Sequence, residues 1–440
     1  MLGEYGRSVM RMQVRQSTSS LFRARMSTFA TNGSQLDSYA KGASVSAPMF
    51  AEVMHKCGVP KKRLHQDLYP LEFGQSAWPG TFPIAAAVSG GADSMALMLL
   101  LREYLQEHHI KTPLLAVTVD HQLRPESSRE ALEVANVCAD RGGIRHITKV
   151  CEWQCEEKTK QQPGEGPTAS LRRPVKPRAS KMEEHARQYR YHLLRQVCLE
   201  YHVRCLFVAH NRGDQLETTL FRLGRASGTN GLAGIASQLP LFSVDRLLRH
   251  PLGCKASTSS TMTTIVRPLL SVTKDQLMAT CDRLQQTWVH DPSNDDPTYD
   301  RVRIRQALKR IEKEEQGAAV LDLIARFQQT AKKAKHEFAA LERLMLQKHA
   351  VTWEADMVVM QTSIVHDPDV FDELLYRLLS IVIVHIGKKD APPRLASIAR
   401  LARDLRDLKT GKQLTLGGCR IMWSRKRREL IFQPEGQKKK

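Results

Sequence analysis

Residues 82–95 read FPIAAAVSGGADSM, and the order of residue types in this stretch decides the fold. The run 82–88 is short, apolar and built of small and branched side chains, which suits a strand buried on both faces. Helical periodicity starts at Met95, so Ser89, Gly90, Gly91, Ala92, Asp93 and Ser94 form a turn from strand to helix. Two glycines let the backbone approach an anion closely, and the helix start adds unpaired N–H groups and the positive end of its dipole. Ser89 and Ser94 add hydroxyl donors, so the six residues are candidate phosphate ligands. The loop lacks both GxxxxGK[ST] and GxGxxG, which disfavours a Walker-type NTPase and a dinucleotide-binding dehydrogenase.

Outward from this turn the pattern repeats. Runs 114–119, 145–150, 205–209 and 264–267 read as further short strands, and helical patterns cover 127–141, 183–201, 215–223 and 274–285, the last opened by a Thr273 to Gln276 capping box. Alternation of this kind predicts an α/β fold with a doubly wound parallel sheet. From residue 301 the chain turns mostly helical and closes with strand-like runs near Leu414 and Leu430. Three segments follow: a basic leader at 1–47, an α/β domain at 48–300 and a smaller helical and α+β region at 301–440. Two polar inserts, about 156–181 and about 253–264, are too poor in apolar residues to order themselves.

The chain has 440 residues and a formal net charge of +20, which makes nucleic acid the first partner to consider. Its nine cysteines run from Cys57 to Cys419 without a CxxC pair, so neither a disulfide framework nor a zinc ribbon is indicated. No run reaches the roughly 18 apolar residues of a spanning helix, so a soluble protein without a membrane partner is expected. Arg7, Arg11, Arg15, Arg23 and Arg25 lie in a Ser-rich leader whose acids are Glu4 and Asp37. Such a leader reads as a mitochondrial address, with plastid import and a merely basic arm as the open alternatives.

SGGADS is similar to the loop of the PP-loop ATP pyrophosphatases, which cleave ATP between the α and β phosphates. Further segments narrow the likeness: VDHQLRPES at 119–127, ARQYRY at 186–191, AHNRGDQLET at 209–218, GLAG at 231–234, RPLL at 267–270, WVHDPSN at 288–294 and RVRIR at 301–305. In this order they resemble the tRNA(Ile)-lysidine synthase family, and 411–431 resembles its C-terminal part more faintly. The resemblance implies ATP and Mg2+ as cosubstrate and cofactor, free L-lysine as the second substrate, and a tRNA(Ile) with a CAU anticodon as partner. ATP would adenylate C2 of the wobble cytidine, and the ε-amine of lysine would displace AMP to give lysidine. Asp93 would lie near the metal and phosphates. Asp214, Glu217 and Arg305 would clasp the lysine, with His210 beside them as a further catalytic group.

Asp214 and Glu217 are spaced to share one side of a helix, yet the same spacing also spells a capping box. Asp93 could serve simply as an N-cap. Arg301 and Arg305 stand one turn apart and suit a phosphate or carboxylate; Arg187 and Arg190 are weaker candidates for tRNA or nucleotide contact. The family pattern has a second histidine at Asn211, an acid or amide at Gly213, a glycine at Ala226 and an asparagine at Val302, so fine positioning is open here. A related tRNA 2-thiolase and a catalytically weakened tRNA-binding homologue are the rival readings. Oligomeric state is not written in the sequence, a homodimer being one option.

Overall fold

A computed structural model describes residues 42–59, 64, 82–153, 182–225, 227–241, 263–290, 300–354, 356–389, 392–407, 413–424 and 426–436. Most of the leader, the insert at 156–181, the second insert up to residue 262, the motif residues 291–294 and Ala226 lie outside the described residues.

The first sheet contains β1 (Ile84–Ala87), β2 (Leu114–Asp120), β3 (Ile144–Val150), β4 (Cys205–Phe207), β5 (Gln238–Pro240) and β6 (Thr264–Val266) in the order β3-β2-β1-β4-β6-β5. All neighbours pair parallel except β5, which runs antiparallel to β6. Its helices are α1 (Ala47–Lys56), α2 (Ala92–Glu107), α3 (Ser127–Arg141), α4 (Met182–Glu200), α5 (Arg212–Gly224), a single turn α6 (Thr229–Leu232) and α7 (Lys274–Arg283). The doubly wound expectation therefore holds, with an antiparallel strand added at one edge.

The twofold period of the strands sorts the core into two layers. Ile84, Ala86, Leu114, Ala116, Cys205 and Phe207 face α1, α2 and α7, while Ala85, Leu115, Val117 and Leu206 face Tyr191, Leu194 and Val197 of α4. The alanines of β1 are needed because this central strand is covered on both faces. From β1 the chain winds outward through β2 to β3, whereas β4 pairs on the opposite side of β1. The carboxyl ends of β1 and β4 thus form the topological switch point where open α/β sheets bind ligands.

Beyond this sheet follow α8 (Asp300–Glu312), α9 (Gly317–Lys348), α10 (Asp372–Gly387) and α11 (Leu395–Arg406). They accompany an antiparallel sheet ordered β7-β8-β11-β10-β9, with β7 (Thr352–Trp353), β8 (Val358–Gln361), β9 (Gln413–Leu416), β10 (Cys419–Ser424) and β11 (Glu429–Pro434). Leu375, Leu379, Val382 and Ile383 of α10 pack on Ile421, Leu430 and Phe432 to form its core. The apolar run in α10 is thus a buried stripe, and no described helix is long and apolar enough to cross a membrane. The sequence reading found β9 and β11; it missed β7 and β8, which are too short for alternation to show, and the six-residue β10 between the two strands it found.

The two regions meet where α8 and α9 pack on α5. Gln215 of α5 organises the joint: its amide donates to Ile235 O at 2.9 Å, and its Oε1 accepts from Ile235 N at 2.8 Å and from Gln328 Nε2 of α9 at 3.1 Å. Arg222 Nη1 donates to the carbonyls of Gly231 and Gly234 at 2.8 and 3.0 Å. Gly234 has φ +72°, and a Cβ there would collide with the side chains of Gln328 and Gln215. Gly234→Ala is therefore expected to lower stability by about 1–3 kcal/mol, read as a lower urea midpoint. An unchanged midpoint would show that the turn can move away from α9.

Candidate active site

The phosphate loop leaves β1 and is held by its own serines. Ser94 Oγ donates to Gly91 O at 2.9 Å and accepts from Ser89 N at 3.1 Å; Ser89 Oγ lies 3.2 Å away. Since the Ser94 proton goes to Gly91, Ser89 supplies the hydrogen between the two hydroxyls. Gly90 has φ +83°, a left-handed conformation that glycine adopts freely, and its carbonyl accepts from Val289 N at 2.9 Å. Gly91 is the N-cap of α2 with no side-chain cap, and a Cβ there would find nothing nearer than 3.8 Å. Protein packing does not demand glycine at Gly91; close approach by a ligand would.

Asp93 is the second residue of α2 rather than its N-cap. Its Oδ1 accepts from Lys274 Nζ at 2.9 Å. Lys274 entered the sequence reading only as the first residue after a capping box, and nothing local marks it as a partner of Asp93.

From the neighbouring strand β4 the chain passes through His210 to α5. Asn211 caps this helix in a reciprocal box: Asp214 N donates to Asn211 Oδ1 at 3.2 Å and Asn211 N donates to Asp214 Oδ2 at 2.9 Å. The capping box is therefore Asn211 with Asp214, not Asp214 with Glu217. Asn211 does the work of an N-cap in place of the family's histidine, and Gly213 gives it room, since a Cβ at Gly213 would lie 3.0 Å from Asn211 Oδ1.

Glu217 lies one turn further in and is buried, at 8% side-chain exposure. Arg305, projected from α8, grips it with both arms, Nε to Oε1 at 2.6 Å and Nη2 to Oε2 at 3.1 Å. Asp214 stands beside this pair. Burial, and then the charges of Glu217 and Asp93, push its carboxyl up to about 6. Val302 is buried on the same helix as Arg305, so the departure from asparagine there serves packing.

His210 is held differently. Arg267 Nε donates to His210 Nδ1 at 3.2 Å, so the imidazole is neutral with its proton on Nε2. Burial first, then the charges of Arg267, Arg187, Arg301 and Arg190, push it down to about 3. Its one basic nitrogen is occupied, and the ring is better suited to donating a hydrogen bond than to removing a proton. Arg187, Arg190 and Arg301 gather around it: Arg187 lies over the Tyr191 ring at 5.1 Å, and Arg190 Nε donates to His121 Nε2 at 3.0 Å. Arg301 is exposed. Neither Arg267 nor His121 received a role from sequence reasoning, although both lie in the quoted motifs. Among the described residues no cluster of three or more His, Cys, Asp or Glu could hold a metal ion by itself.

An anion-cradling turn and a carboxylate-rich helix start, side by side at the switch point of a parallel sheet, define a PP-loop ATP-binding protein. A family model described as PP-loop domain matches residues 73–312. The chain is 31% identical over 349 residues to the tRNA(Ile)-lysidine synthase of Ruegeria pomeroyi, covering 77% of this chain and 68% of that one. It is 32% identical over 353 residues to the tRNA(Ile)-lysidine synthase of Hyphomonas neptunium, covering 80% and 82%. Among solved structures it matches the U34-tRNA thiolase NcsA from Methanococcus maripaludis with TM-score 0.38 and 13% identity, over 64% of this chain and 80% of that one. The chain belongs to the tRNA(Ile)-lysidine synthase family.

Removing one partner of the Glu217 pair isolates a buried charge. Arg305→Met is expected to cost about 2–4 kcal/mol at pH 7.5, between the values for exposed and buried pairs. Chemical denaturation checks this, with Arg305→Lys, which keeps the positive charge, expected to recover part of the deficit; equal losses in the two variants would assign the effect to packing alone.

Proposed function

We propose that the chain is a tRNA(Ile)-lysidine synthase, and the carrying observation is the set Asp214, Glu217 and Arg305 beside the phosphate loop. Free lysine bears two ammonium groups and one carboxylate. Two carboxylates and one guanidinium at this site match that charge pattern.

The chemistry has two displacements. In the first, O2 of the wobble cytidine attacks the α-phosphorus of ATP; the bond from that phosphorus to the bridging oxygen breaks, and diphosphate leaves with the electron pair. The loop from Ser89 to Ser94 supplies hydrogen-bond donors and a helix start for the phosphates. Magnesium, when bound, supplies positive charge on the phosphate oxygens. Asp93 fits it, because Mg2+ takes one or two carboxylates together with substrate phosphates and water.

In the second, the lysine ε-amine attacks C2, and the bond from C2 to the AMP oxygen breaks. The amine must first lose a proton, and Asp214 is the suited acceptor: its carboxyl is raised to about 6 and it lies next to Glu217. His210 orients the reacting groups through Nε2–H. The arginines around it, on a chain of net charge +20, support contact with the tRNA backbone.

The thiolase rival needs a reactive thiolate. Burial raises the thiols of Cys57, Cys138 and Cys281 to about 11 and those of Cys151, Cys198 and Cys419 to about 12, so none of these is poised for sulfur transfer. The weakened-homologue rival rests on Asn211 and Gly213, whose mutual fit leaves Asp214 and Glu217 in place.

The decisive assay combines the protein, ATP, radiolabelled lysine and unmodified tRNA(Ile) bearing CAU; label should enter the tRNA, and binding without label would favour the rival. Because Asp214 must be ionised, kcat/KM for lysine should rise with pH through about 6 and level off above it. Asp214→Asn should lower kcat/KM by about 10²–10⁴ and abolish that limb; an unchanged lysine KM and pH profile would remove Asp214 from the lysine site.

The leader composition supports a mitochondrial address for residues 1–47, which carry six basic and two acidic side chains. A fusion carrying residues 1–45 should be imported into mitochondria, and a fusion that stays in the cytosol would overturn the address.

A further inference from the structure

Lys274 occupies a position that local structure does not explain. It is the first residue of α7, where the helix dipole disfavours a cation. The helix start is already secured by Thr273, whose Oγ1 accepts from Gln276 N at 3.2 Å, and by Gln276 Oε1, which accepts from Thr273 N at 3.0 Å. The pair with Asp93 is open to solvent, at 49% and 27% side-chain exposure, and such pairs contribute little to stability.

Its place relative to the phosphate loop, by contrast, is fixed by the fold. Leu277 and Cys281 of α7 are buried in the same core as Ala92 and Met95 of α2. Cys281 Sγ also donates to Ala92 O at 3.4 Å, inside the turn itself. The ammonium therefore stands at the mouth of the loop. The charges there also call for a cation. The charges of Glu217 and Asp93 both act on Asp214, and Arg305 is paired with Glu217. A triphosphate approaching the Asp93 end meets a carboxylate whose paired cation is Lys274.

Building on the reading of this loop as an ATP site, we propose that Lys274 is a catalytic contact for the β and γ phosphates. In the free protein its ammonium rests on Asp93. With ATP bound, Asp93 would be the residue to hold magnesium, and Nζ moves to the phosphate oxygens. As the α-phosphorus to bridging-oxygen bond breaks, the electron pair and its charge pass to diphosphate, and Lys274 balances that charge by hydrogen bonding without giving up a proton.

The test uses the full chain, with inorganic pyrophosphate and AMP as separate probes in the presence of magnesium, their affinities measured by calorimetry. Lys274→Met should weaken pyrophosphate at least about tenfold, as expected for loss of a hydrogen bond to a charged group, and leave AMP within about twofold. Lys274→Arg should retain most of the pyrophosphate affinity, and the melting temperature of both variants should match the wild type. Unchanged pyrophosphate affinity in Lys274→Met, or an equal loss for AMP, would overturn the proposal. Neither measurement requires lysidine formation, so failure of the reaction assigned above would be seen separately.

Discussion

The buried carboxylate of Glu217 sets the main constraint on this molecule. A charge at 8% exposure has to be answered, and the answer comes from Arg305 on a helix that belongs to the second half of the chain. The parallel sheet can build a phosphate loop without help, but it cannot complete the carboxylate site without α8. The packing of α8 and α9 on α5, and the Gln215 bridge to Ile235 and Gln328, hold that helix at the distance the pair requires. The helical region thus contributes a residue to the site as well as basic surface.

Around this pair, each charged group is tuned by what it faces. Asp214 shares its surroundings with two other acids and keeps its proton to a higher pH than a free aspartate. His210 faces arginines and stays neutral. One helix start therefore carries a carboxyl raised to about 6 and, a few residues before it, a neutral imidazole with an N–H to donate. Environments that push titratable groups apart in this way are characteristic of acid–base sites. Asn211 and Gly213 show how a departure from a family pattern can be absorbed: the amide takes over the capping bond and the glycine clears its path.

The strands, the phosphate turn and the switch-point placement of the motifs were legible because each depends on local order: small apolar runs, paired glycines, capping residues. Asp214, Glu217 and Arg305 could be named from motifs, but their mutual geometry could not, since the Arg305 contact spans 88 positions. The same limit hid Lys274 and Arg267, whose partners are distant in sequence. The alternative reading of Asp214 and Glu217 as a capping box placed the box three residues late, because Asn, Asp and Glu at that spacing satisfy the pattern in two ways. In the second sheet β7 and β8 escaped because strands of two and four residues show no usable alternation.

The central claim is that two carboxylates and a guanidinium recognise free lysine by its three charges. Calorimetric titration with lysine, cadaverine and norleucine, in the presence of tRNA and a non-cleavable ATP analogue, tests it directly. Lysine should bind, while cadaverine, which lacks the carboxylate, and norleucine, which lacks the ε-amine, should each bind at least about tenfold more weakly. Cadaverine or norleucine binding as tightly as lysine would contradict the account.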